Sequence, residues 1–283
     1  MRGSGQVRAL EPWRLRGSGV TWLVFALAAG IGAIAVGMVG FGSSLVILPT
    51  LAVVFPTMFA SEVALRLAAG TTMATMTVGA LSAGIAQARS GRVAWPLVRL
   101  AIFPYLAGAL SGPWGARFLP VHALRIYIAA ILVLLGLWAL RPRGSVPAPG
   151  RTWHAHKTEI GAVLFVIGLA SSAAGIASGV FAIPYLSRFD LPMRTVIGTS
   201  TVGAALYSVF GMLGYISSGW GLEGLPAWSL GFVYLPVFAL MSTAGALCAP
   251  LGVHLAGRVS DSLLRRLVAV FLLSAAAVVA LHA

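Results

Sequence analysis

Ser43 and Ser44 in "GMVGFGSSLVILPTL", and Ser178 in "AAGIASGVFAIPYL", are the hydroxyls of this chain whose setting suggests chemistry. Each interrupts an apolar run. Gly40 and Gly42 precede the first pair, Gly175 and Gly179 flank Ser178, and Pro49 and Pro184 follow Ser43 and Ser178 at the same distance. A second pair of small hydroxyl clusters stands further on, Gly70, Thr71, Thr72 and Gly198, Thr199, Ser200. Glycine permits the backbone angles at which a helix breaks. The piece that restarts after the break turns free N–H groups, worth about half a positive charge, toward whatever lies ahead of it. Serine and threonine add hydroxyl donors, so the chemistry implied is recognition of a small anion without a full cation in the membrane. The competing reading of each cluster is helix packing and bonding to the preceding turn. Pairing across the chain favours the ligand.

Other chemistries find less support. The six acidic residues, Glu11, Glu62, Glu159, Asp190, Glu223 and Asp261, all fall in tails, loops or helix ends. A cation pump or proton relay keeps a carboxylate inside a span, so a cationic substrate is disfavoured. The single cysteine, Cys248, excludes an internal disulfide and a thiolate metal cluster; no metal or cofactor is expected. Arg66, Arg89, Arg99 and Arg117 at helix borders either attract an anion or snorkel to headgroups. An intramembrane serine hydrolase built on Ser178 and His254 is an alternative, yet Ile176 stands where a Gly-x-Ser-Gly motif needs its first glycine. The matching Ser43 also suits a symmetric binding site better than one nucleophile, so no enzyme is expected. A non-transporting membrane subunit would not require two matched breaks.

The elements that position these groups follow from composition. Hydrophobic residues make up 59% and charged residues 9% of the 283, with mean hydropathy +0.96, whereas soluble domains carry about 25% charged residues. The chain reads as all-α and polytopic, with about eight membrane-crossing helices in the cytoplasmic membrane. Its net charge of +13 is spread over loops and helix ends, which argues against nucleic acid. Basic residues in the tail (Arg2, Arg8, Arg14, Arg16) and in the central loop (Arg141, Arg143, Arg151, Lys157) put both in the cytoplasm. The run from Val20 to Pro56 would make about 55 Å of helix, far more than one membrane needs. It must tilt, protrude or break, and "GFGSS" is the cheapest place to break.

Two halves match in order. Gly40, Ser43, Pro49 and Leu51 correspond to Gly175, Ser178, Pro184 and Leu186; "GTT" at Gly70 corresponds to "GTS" at Gly198, each followed at equal distance by Gly91 and Gly219; Gly108, Pro113 and Gly115 correspond to Gly245, Pro250 and Gly252. The expected organisation is a cytoplasmic tail (1–19), a first four-helix repeat (20–141), a basic Pro-rich linker (142–158) and a second repeat (159–283), with a broken helix in each. Four spans per half make the repeats parallel; an odd number, through a re-entrant piece, inverts one.

The half-repeat "GFGSSLVILPTL", "GTT", "GRVAW", "GALSGPWGARFL", with "GIASGVFAIPYL", "LPMRTVIGTS" and "GALCAPLGVHLAGRVSDSLLRRLVAVFLL" in the second half, resembles the TauE/SafE sulfite exporter (TSUP) family of membrane permeases from about Thr21 to Leu281. The resemblance implies a secondary transporter of sulfite, sulfoacetate or similar anions that works without ATP hydrolysis. A coupling proton or sodium ion is the second cargo to be expected, membrane lipid the surroundings, and the oligomeric state stays open. Here the first motif ends in Ser43 and Ser44, where the family often continues with glycine, and Ala94 stands where an acidic or amide residue is common.

Overall fold

A computed structural model describes residues 19–39, 43–140, 152–255, 269–270, 272–274 and 276–280. The described residues are mostly helical, with one short two-stranded ribbon. Among the described residues the helices with complete bounds are, in order, α1 (Gly19–Val39), α2 (Ser44–Met58), α3 (Ser61–Arg89), α4 (Trp95–Phe118), α5 (Val121–Leu140), α6 (Lys157–Ala174), α7 (Gly179–Leu186), α8 (Met193–Gly219) and α9 (Leu235–Leu255). Strands β1 (Ser229–Leu230) and β2 (Val233–Tyr234) pair antiparallel ahead of α9. Helical residues within 269–280 pack beside α5, where a Cβ on Gly136 would lie 2.9 Å from Leu273.

The long apolar run does break, and it also turns back. Phe25 of α1 meets Phe55 of α2 edge to face at 5.9 Å, and a Cβ on Gly32 would lie 3.6 Å from Val46. Early residues of α1 therefore face late residues of α2, and the two helices run antiparallel. The described residues within 20–141 form five helices rather than the four expected, because one run of sequence supplies two of them.

Outward faces are apolar at helical spacing. On α1, Val20, Leu23, Leu27 and Ile31 are exposed, and on α4 Phe103, Leu110, Trp114 and Phe118 are. Continuous apolar surface of this kind is matched to lipid rather than to water. Among the described residues, Trp153–Ala174 and Met193–Gly219 are each long and apolar enough to cross a membrane, and Gly19–Ile34, Ser44–Met58, Val121–Leu137 and Leu235–Cys248 are shorter apolar helices. That is fewer clear spans than the eight expected, since prolines, hydroxyls and border arginines dilute α3 and α4.

Close helix contacts use missing side chains. A Cβ on Gly108 of α4 would sit 2.2 Å from the Phe165 carbonyl of α6, and one on Gly112 would sit 2.4 Å from the Leu169 carbonyl. Spaced four apart, these glycines let the two backbones touch. The border arginines are used structurally: Arg66 donates to the carbonyls of Ala116 (3.3 Å) and Leu119 (2.7 Å) at the end of α4, and Arg117 donates to the Ser218 carbonyl (2.9 Å). Both satisfy carbonyls that a helix end leaves without partners.

Candidate anion site at the helix breaks

The second break is made by a full C-terminal cap. Gly175 adopts φ 73° after α6, the Gly175 N–H donates to the Ser172 carbonyl and the Ile176 N–H to the Ser171 carbonyl, both at 2.9 Å. This crossed pair is the Schellman arrangement, and its left-handed residue favours glycine. Ile176 and Ala177 are not helical. Ser178 then starts α7, its carbonyl accepting from the N–H groups of Phe181 (3.0 Å) and Ala182 (2.9 Å). Ser43 starts α2 in the same way, its carbonyl accepting from Val46 (3.1 Å) and Ile47 (2.9 Å). Gly40 and Gly42 lie outside the described residues.

The two breaks touch. The Ala177 N–H donates to Ser44 Oγ at 3.0 Å, and Ser44 is fully buried. A backbone donor freed by the second break is thereby satisfied by the first residue of α2. Ser178 is also fully buried, and its hydroxyl is bonded to Tyr105 of α4. Gly179 is buried as well, yet a Cβ there would meet no atom within 4 Å. Open volume therefore adjoins the first turn of α7.

Tyrosines hold the second break in shape. Tyr207 donates to the Ile176 carbonyl (2.8 Å), Tyr215 to the carbonyls of Ser172 (2.8 Å) and Ala173 (2.9 Å), and Tyr127 to the Ala170 carbonyl (2.6 Å). The rings of Tyr105 and Tyr207 stack with centroids 5.4 Å apart. Sequence reasoning passed over all four. The available signal was a polar tip in the middle of an apolar run, since a buried tyrosine hydroxyl requires a partner.

The threonine clusters hold neighbouring segments in place. Thr71 Oγ1 accepts from the Tyr234 N–H and Thr199 Oγ1 from the Ala94 N–H, each at 3.0 Å. Beside them, a Cβ on Gly70 would lie 2.2 Å from the Phe232 carbonyl, and one on Gly198 would lie 2.3 Å from the Arg92 carbonyl. Each helix thus docks a loop from elsewhere in the chain. The docked loops are "GRVAWP" and "GFVYLP", opened by Gly91 at φ 68° and Gly231 at φ 56°. By contact, the counterpart of Gly91 is Gly231 rather than Gly219. Thr72 bonds back to the Ala68 carbonyl (2.8 Å). Ser200 alone of the cluster has a buried hydroxyl with no partner.

Other contacts recur in exchanged pairs: α4 on α6 with α1 on α9, α4 on α8 with α3 on α9, and α2 on α3 with α7 on α8. The remaining major pair, α3 on α8, is antiparallel, for Gly70 faces Tyr215, Met73 faces Gly211 and Gly84 faces Ala205. Against these exchanged contacts, Gly245 approaches Ala33 while Gly168 approaches Tyr105. Among the described residues no three His, Cys, Asp or Glu side chains are grouped to hold a metal ion.

The profile of the family described as Sulfite exporter TauE/SafE matches residues 24–279. The chain belongs to that family. A relative from Haemophilus influenzae (strain ATCC 51907 / DSM 11121 / KW20 / Rd), described as "Probable membrane transporter protein", is 29% identical over 270 residues, covering 89% of this chain and 96% of its own length. No solved structure matches. Membership makes this a membrane transport protein.

Proposed function

We propose that the chain is a secondary carrier of a small sulfur-containing or organic anion, such as sulfite or sulfoacetate, across the plasma membrane. Two repeats, 20–141 and 159–283, provide alternating access to a site between their broken helices. The observation that carries this reading is the bond from Ala177 to Ser44: two Gly- and Ser-rich breaks far apart in sequence meet inside the protein. There the N-termini of α2 and α7 present amides and the hydroxyls of Ser43, Ser44 and Ser178 without any carboxylate, which suits an anion. The Gly70 and Gly198 clusters hold the helices around that site, and Ser200 faces it as a donor. A serine hydrolase is less well supported, because the partner of the Ser178 hydroxyl is a tyrosine rather than a base. Labelled sulfite or sulfoacetate should enter proteoliposomes under a proton or sodium gradient. Absence of flux for every small anion tried would overturn the carrier reading.

The repeats are taken as inverted. A two-fold axis relating antiparallel α3 and α8 is perpendicular to both, and so lies in the membrane plane when they cross it. The antiparallel pair α1 and α2 contributes an even number of crossings, and α3, α4 and α5 add three. Odd parity separates the tail from the linker, against the expectation that both share the cytoplasm. Arg89, Arg92, Arg99, Arg188 and Arg194 gather on the linker side, which is then the cytoplasmic one. With Cys248 replaced by alanine, an impermeant maleimide applied to intact cells should label Ser4→Cys and spare Ser145→Cys. Equal labelling of both would rule out the inverted arrangement.

A further inference from the structure

Thr71 and Thr199 stand near the starts of α3 and α8, and because those helices run antiparallel the two docked loops lie at opposite ends of the pair. The docks share a design but not a degree of burial. In the second loop Phe232, Val233 and Tyr234 are 2%, 2% and 3% exposed, the Phe232 N–H donates to the Tyr215 carbonyl (3.1 Å), and the Tyr234 ring packs on Phe59 at 5.1 Å. In the first loop Arg92 is exposed, Val93 and Ala94 are half-buried, and Trp95 is 44% exposed. Among the described residues the bond from Ala94 to Thr199 is the one hydrogen bond that ties this loop to α8. Two arginines repeat the contrast. Arg66, four residues before Gly70, donates to the carbonyls that end α4, whereas Arg194, four residues before Gly198, is exposed and makes no hydrogen bond among the described residues.

We propose that the loop of residues 91–95 is the gate of the linker-side face: it lifts off Gly198 and Thr199 to open a path to the Tyr105 and Ser178 pair, while the dock of residues 231–234 keeps the opposite face shut. The proposal rests on the carrier reading and adds which contact gives way. Segments that open locally are those with few buried apolar contacts and exposed backbone bonds. The first loop fits that description and the second does not. Both docks shape the resting fold; they differ in how readily each lets go.

A path has to be opened, because the space behind the first dock is too small for a solute. A cavity of about 30 Å³, room for about one water, lies between Leu97 and Ala101 of α4, Ala182 and Leu186 of α7, and Thr199 and Ser200 of α8, with Tyr105 also in its wall. The Thr199 that holds the loop is thus part of the cavity, so release of the loop enlarges it. Ser200 is 4% exposed and its hydroxyl has no partner, a standing cost that water or solute admitted by the open gate removes. Its counterpart at the other dock, Thr72, already donates to the Ala68 carbonyl. The hydroxyl that awaits a partner lies behind the looser dock.

The test is the rate at which an impermeant anionic thiol reagent, 2-sulfonatoethyl methanethiosulfonate, modifies Ser200→Cys and Thr72→Cys in the full chain with Cys248 replaced by alanine, in intact cells and in inverted vesicles. Ser200→Cys should react at least about tenfold faster from the linker side than from the other, a difference of about 1.4 kcal/mol, and Thr72→Cys should react from neither. Thr199→Val, which removes the acceptor for the Ala94 N–H, should raise the Ser200→Cys rate about fivefold, the change to which about 1 kcal/mol of lost hydrogen bond corresponds. In the wild-type chain, hydrogen exchange followed by mass spectrometry should be faster at Ala94 than at Tyr234, a comparison that needs no variant. Equal rates for the two cysteines, faster access from the opposite face, no effect of Thr199→Val, or exchange at Ala94 no faster than at Tyr234 would each overturn the gate. Anion flux alongside any of those results leaves the carrier reading standing; no flux for any anion removes the carrier reading, and the gate with it, whatever the labelling shows.

Discussion

Alanine at Gly70 or Gly198 is expected to sharply lower the yield of folded, monodisperse protein in detergent, with each substitution destabilising by about 1–3 kcal/mol or more. Glycine inside a helix ordinarily costs about 0.5–1 kcal/mol relative to alanine, so the replacement would stabilise if space allowed. Here the added carbon would meet a backbone carbonyl, of Phe232 at 2.2 Å and of Arg92 at 2.3 Å. Carbonyls fixed in a loop cannot rotate aside as a side-chain end can, and the clash decides the sign. Gly79 and Gly115 provide the control, for a Cβ on either meets nothing within 4 Å. Gly79→Ala and Gly115→Ala should be neutral or slightly stabilising. Equal melting temperatures for all four variants, measured by scanning fluorimetry, would contradict this account of the two docked loops.

Ser44→Ala is expected to cut anion flux at least tenfold while leaving a folded protein. The change removes the acceptor for the Ala177 N–H and leaves that part-buried donor unpaired, at a cost of about 1–3 kcal/mol. A disturbance of 1.4 kcal/mol at the meeting point of the two breaks already corresponds to a factor of ten in an equilibrium between carrier states. Ser44→Thr keeps an acceptor and should restore part of the flux. Ser43→Ala should behave differently: Ser43 is only half buried and makes no side-chain cap bond, so its loss should scarcely alter stability. If Ser43→Ala reduces flux with an unchanged melting temperature, the effect belongs to the solute rather than to the scaffold. Wild-type flux in Ser44→Ala would remove the contact between breaks from the mechanism.

Much of this site was legible in the residues themselves. Glycine, serine and proline inside an apolar run are anomalous for a plain span, and the physical cause, a helix that ends and restarts, produced both breaks near the positions expected. The roles within them were less legible. Gly70 and Gly198 looked like parts of a donor cluster, because small residues near hydroxyls fit either packing or binding. The carbonyls of Phe232 and Arg92, brought from loops that a linear reading cannot align to them, show the packing these glycines allow. The equivalence of "GRVAWP" and "GFVYLP" was obscured for the same reason: the Gly221 to Trp228 insertion displaced it, and a chance glycine at 219 stood at the expected distance.

Composition and ordered small-residue motifs determined by themselves that this is a helical membrane protein of the TauE/SafE family with interrupted helices. Those properties are set locally, by transfer to lipid and by backbone freedom, and so are written in the order of residues. Tertiary structure decided that α1 and α2 pack antiparallel, that Ala177 finds Ser44, that four tyrosines clamp one break, and that the buried Ser200 hydroxyl is left without a partner. Each of these depends on which helix packs against which, a choice made by shape and by hydrogen bonds between residues distant in sequence.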